Sequence, residues 1–128
     1  MQADPPRGES SPLFAGALLG GLAVALGAFG AHAMKQAYDE TALKTFETGV
    51  RYQMYHALAL LGCAALQAAG YRTVTAARLF VVGTALFSGS LYGLALLDLR
   101  WLGPVTPIGG VAFLAGWVAL VFAARKRT

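Results

Sequence analysis

Charge is scarce in this chain. Only 12% of its 128 residues are Asp, Glu, Lys or Arg, against about 25% in a typical soluble domain. A water-soluble fold needs charge to cover its surface, so the shortage excludes an ordinary soluble domain and points to lipid as the solvent. Cysteine is scarcer still. The single thiol, Cys63, sits inside an apolar run, which excludes an intramolecular disulfide and a zinc cluster and reads as core packing. A nucleophile with its base is also missing. Ser88 and Ser90 have no histidine at their depth, since Ser90 lies roughly 12 Å inside the Asp98 end of its segment at 1.5 Å per residue. Serine hydrolysis would lack a base, and no enzymatic activity or cofactor is expected.

What is present is apolar. Hydrophobic residues make up 57% of the chain and the mean hydropathy is +0.59, in a length that holds one domain. The net charge of +4 does not indicate nucleic acid. Three of the basic residues, Arg125, Lys126 and Arg127, cluster at the C-terminus, as in a tail flanking a membrane span.

Four apolar segments punctuate the sequence. Residues 13–33 contain no charge and match the roughly 20 residues that cross about 30 Å of hydrocarbon. Ser11 can cap this helix, and Pro12 suits its first position. With Arg7 upstream and Ala-His-Ala at 31–33, the segment imitates a secretory signal. The run is too long for one, and Asp4 and Glu9 outweigh Arg7, so an uncleaved span is expected. A second span covers 52–69 and stops at Gly70. The third covers 76–97, with Arg78 near enough to its start to reach the headgroups and Trp101 beyond its end at interface depth. Thr106 can cap and Pro107 open a fourth, 108–124. Residues 1–12 read as a flexible N-terminus and 125–128 as a basic tail. The expected fold is an all-α integral membrane protein, a four-transmembrane-helix bundle forming one domain. Basic residues in short loops favour the side shared by both termini, six against four, which sets the termini in the cytoplasm of a bacterial plasma (inner) membrane.

The loop between the first two spans carries most of the polar interest. Asp39 can cap a helix over 39–51 whose apolar residues, Leu43, Phe46 and Val50, continue to Met54 at spacings of three, four and four. That stripe predicts an amphipathic helix at the outer interface, with its bend at Gly49 and a Glu47–Arg51 pair on another face. His32 ends the first span and His56 sits about one turn inside the second. The two rings are therefore expected at similar depth. With Glu47, Arg51 and Tyr55 they form a candidate polar cluster, either a structural network or a pocket for a small molecule or lipid. Ligation of haem or a metal by the histidine pair lacks further soft ligands. Among the small residues, Gly16 with Gly20 and Gly89 with Gly93 form GxxxG pairs, the second flanked by Ser88 and Ser90, as expected of close helix packing.

Four strings, "GAFGAH" at 27–32, "FETGVRYQMYHALALL" at 46–61, "FSGSLYGLAL" at 87–96 and "GPVTPIGGVAFLAGW" at 103–117, resemble the domain of unknown function 423 family. These are small bacterial membrane proteins similar to transmembrane protein 256. The resemblance implies several spans and a membrane location, and transfers no residue role. The function expected from the residues is that of an accessory, assembly or scaffold component. Its partners would be membrane lipids and a membrane-protein complex or further copies of itself.

Overall fold

The computed structural model describes residues 11–125. The expected flexible N-terminus up to residue 10 and the tail beyond Arg125 lie outside the described residues. Five helices follow one another: α1 (Ser11–His32), the single turn α2 (Met34–Ala37), α3 (Glu40–Ala68), α4 (Val74–Leu97) and α5 (Val105–Arg125), with a 3₁₀ turn at Arg100–Leu102 before the last. No β-strand occurs among the described residues. In hydrocarbon a backbone must satisfy its own polar groups, and the helix does so within one segment.

Among the described residues, three helical segments are long and apolar enough to cross a membrane: Ser11–His32, Val74–Leu97 and Arg100–Arg125. The sequence led us to expect four. The difference lies in α3: its first turns carry Glu40, Lys44, Glu47 and Arg51, and its more apolar remainder still holds Gln53, His56 and Gln67. Residues 39–51 are not a separate interfacial helix. They begin one unbroken helix that continues to Ala68, and Gly49, expected to be a bend, is helical and buried. Asp39 does cap, its side chain accepting from the Ala42 amide at 2.8 Å. The stripe through Phe46 faces the bundle: Phe46 is fully buried in a cluster with Met34 and Ala95, ringed by Leu43, Val50 and Tyr92.

Packing follows chain order, α1 on α3, α3 on α4 and α4 on α5. Each neighbouring pair runs antiparallel. Gly16 lies beside Ala57 and Leu60, while Gly30 lies beside Phe46, so α1 and α3 stay level along much of their length. The turn between α3 and α4 uses Gly70 at φ 98°, a conformation that glycine adopts without strain. Thr73 does not cap α4; its hydroxyl donates to the Cys63 carbonyl at 2.8 Å and ties the hairpin closed.

The helices meet through aromatic rings seated on glycines, Phe46 on Gly30, Tyr92 on Gly49, Phe113 on Gly83 and Phe80 on Gly116, while Gly109 packs directly against the Phe87 backbone. Of the expected packing glycines, Gly16 is buried and a Cβ there would meet the Ala57 carbonyl at 2.8 Å; Gly20 is looser, at 3.7 Å from Ala57. Gly93 faces Leu102. Gly89 is exposed with nothing near it, so the second GxxxG pair does not work as a unit. Its flanking serines do. Ser88 donates to the Gly49 carbonyl at 2.7 Å, and Ser90 bonds the Thr106 hydroxyl at 2.6 Å. Thr106, expected as a cap, therefore sits inside α5 as a cross-helix partner.

Candidate functional site: a buried polar seam around His56

The middle of α3 brings polar side chains into the centre of the bundle. Gly49, Gln53 and His56, spaced four and three apart, share one side of the helix, and all three are buried. Gln53 bridges three helices: its amide nitrogen donates to the Leu19 carbonyl of α1 at 2.8 Å, and its oxygen accepts from the Tyr92 hydroxyl of α4 at 2.6 Å. Both halves of the amide thus have partners, which a buried amide requires.

His56 is 4% exposed, and both of its ring nitrogens are engaged. Trp117 on α5 donates its Nε1–H to Nε2 at 3.1 Å, and Nδ1 lies 2.7 Å from the Tyr52 carbonyl. An indole nitrogen can only donate, so Nε2 must accept. Nδ1 then carries the proton and donates to Tyr52, which assigns one neutral tautomer. The ring lies flat against Phe113, centroids 3.5 Å apart at 6°, with Phe80 at 5.3 Å and Tyr52 at 6.3 Å.

This geometry separates the residues that the sequence grouped. His56 lies beside Ala57, which touches Gly16 and Gly20 of α1. His32 is twelve residues beyond Gly20, roughly 18 Å along the axis, and is exposed. The histidines are not at one depth. The cause is the length of α3: with its start at Glu40, His56 falls near the helix centre rather than one turn from an end. Tyr55 is exposed and contacts Tyr52 edge-on at 5.6 Å. Glu47 and Arg51 are exposed too, and line a shallow hollow of about 220 Å³ with Gly27, Gly30, Phe46 and Val50. They do not pair. The ion pairs among the described residues join Lys44 to Glu40 at 3.5 Å and Arg100 to Asp98 at 3.6 Å.

The seam offers a metal little. The acceptor lone pair of His56 is occupied by Trp117, and no group of three or more His, Cys, Asp or Glu converges among the described residues. The residues that sequence reasoning missed are Gln53, Phe113 and Trp117. Gln53 and Trp117 carried a signal, since an amide and an indole N–H inside apolar runs must find partners in the bundle; Phe113 carried none.

Comparison with known proteins agrees with the membrane reading. The family described as "Protein of unknown function (DUF423)" matches residues 26–110, a range that contains the seam residues of α3 and α4 and stops short of Phe113 and Trp117. The UPF0382 membrane protein YwdK of Bacillus subtilis (strain 168) is 46% identical over 114 residues, covering 87% of this chain and 93% of that protein. The UPF0382 inner membrane protein YgdD of Escherichia coli (strain K12) is 43% identical over 113 residues, covering 84% of each. No solved structure matches the chain. With three helices apolar and long enough to span and relatives of this kind over most of its length, the chain belongs to the DUF423 family and is a multi-pass protein of the bacterial inner membrane.

Proposed function

We propose that the protein is a non-enzymatic component of a membrane complex, an accessory, assembly or scaffold subunit built as a four-span bundle with both termini in the cytoplasm. Support for α3 as the fourth span comes from its level contact with α1, from Gly16 at Ala57 to Gly30 at Phe46. A helix packed beside a span over that distance shares its depth. The opening turns of α3, with their charged residues, then rise to the outer interface as the amphipathic part of the span.

One observation carries the reading: the polar atoms of Gln53 and His56 at the bundle centre bond to this chain's own groups. Intramembrane polar groups mark function by default, yet these are consumed in joining α1, α3, α4 and α5. Ser90 bonds to Thr106 and the Phe87 carbonyl, and no histidine or carboxylate is among its hydrogen-bond partners in the described residues. Such a bundle acts through its outer surface. Extraction in mild detergent followed by size separation and crosslinking tests this. The protein is expected to migrate in a particle much larger than its 13.3 kDa, with a defined set of crosslinked chains. A bare monomer, recovered with no partner and no second copy, would refute the proposal.

A further inference from the structure

At the end of the bundle that holds the α3–α4 turn, residues of α1, α3 and α4 face a common space. They leave a groove of about 800 Å³, within the roughly 300–1,000 Å³ of sites that enclose a drug-sized ligand. Its lining changes with depth. Gln67 and Arg78 stand at the mouth, Gln67 one residue from the end of α3 and Arg78 four residues into α4. Leu60 lies about 12 Å deeper than the end of α3 at 1.5 Å per residue, with Ala15, Val81 and Val82 also forming apolar wall. Gln67 Oε1 is buried and has no hydrogen-bond partner among the described residues. A buried acceptor of that kind calls for a donor.

From this pattern we infer that the groove binds one anionic phospholipid whose headgroup carries a hydrogen-bond donor, as phosphatidylglycerol does. The phosphate oxygens accept from the Arg78 guanidinium, a pairing that charge and geometry both favour. A headgroup hydroxyl donates to Gln67 Oε1. One acyl chain runs down the apolar wall past Ala15 to Leu60. The assignment requires only that this end of the bundle lie at a membrane surface, and holds whichever side that surface faces.

The test uses the full chain in mild detergent, with retained lipid counted by native mass spectrometry after exchange against phosphatidylglycerol or phosphatidylcholine. The wild type is expected to keep one phosphatidylglycerol in preference to phosphatidylcholine. Arg78→Gln should lower that retention about fivefold, the equivalent of about 1 kcal/mol for one basic residue near an anionic surface. Val82→Trp fills the groove from an exposed position and should abolish retention while keeping the charge. Should Arg78→Gln fail to fold, the Val82→Trp result decides alone. Three results overturn the inference: equal retention of both lipids, an equal loss from Arg72→Gln, whose residue lies outside the groove, or retention that arises only once residues 2–10 are deleted. The second would mean diffuse surface attraction, and the third would give the groove to the N-terminal segment.

Discussion

Replacing His56 by alanine should destabilise the bundle by about 3–5 kcal/mol, the range for deleting a large buried ring. The ring fills the space between α3, α4 and α5, flat on Phe113 and beside Phe80, so its loss opens a cavity where three helices meet. The N–H of Trp117 also loses its acceptor. Against a total stability of about 5–15 kcal/mol, this is enough to leave a large unfolded fraction. Removing only the hydrogen bond should do far less. Trp117→Phe keeps an aromatic ring at a half-exposed position and should cost about 1 kcal/mol, as measured for interhelical bonds in membranes. Unfolding in a denaturing detergent, followed by helicity, gives both values. Equal effects would mean that the bond rather than the packing holds the seam.

The second large effect concerns two adjacent glycines. A Cβ on Gly109 would lie 2.7 Å from Phe87 Cα and touch the Phe87 amide, and backbone inside a helix cannot move aside. Gly109→Leu should therefore force α5 away from α4, breaking the Ser90–Thr106 bond and the Phe113 contact with Gly83, at a cost of about 3 kcal/mol, the upper end for overpacking. Gly110→Leu should be nearly neutral, because the nearest atom there, at 3.9 Å, belongs to the flexible Phe87 side chain. The same unfolding assay compares them. A tolerated Gly109→Leu would show that α4 and α5 do not pack through this contact.

Much of the fold was legible from residue chemistry. Long apolar runs gave the apolar helices to within a few residues, Asp39 gave the start of α3, and Gly70 gave its end. The stripe through Phe46 followed from its spacing, but the spacing left open whether it faced lipid or the bundle. The continuity of α3 did not, because charged turns leading into an apolar run read as two elements, and a helical glycine packed under Tyr92 reads as a bend. That one error displaced His56 from the bundle centre toward an interface and created a histidine pair that the fold does not form. The partner of His56 was hidden for another reason. Trp117 lies 61 residues away in sequence, and the spacing within one helix says nothing about which side chain faces it from another. Likewise Gly89 and Gly93 show the small-residue spacing, whereas the α4–α5 contact uses Gly83 and Gly116, each under an aromatic ring of the other helix, and Gly109, pressed against the Phe87 backbone.

In the proposed four-span bundle, α3 crosses the membrane and holds its seam at mid-depth. The most direct measurement is the sidedness of its two ends. In a Cys63→Ala background, Lys35→Cys before α3 and Arg72→Cys after it can each be treated with a membrane-impermeant maleimide in intact cells and in inverted vesicles. Lys35→Cys is expected to react from outside only and Arg72→Cys from the cytoplasmic side only. Labelling of both from the same side would contradict the account, because α3 would then not span the membrane and the seam would not lie at its centre.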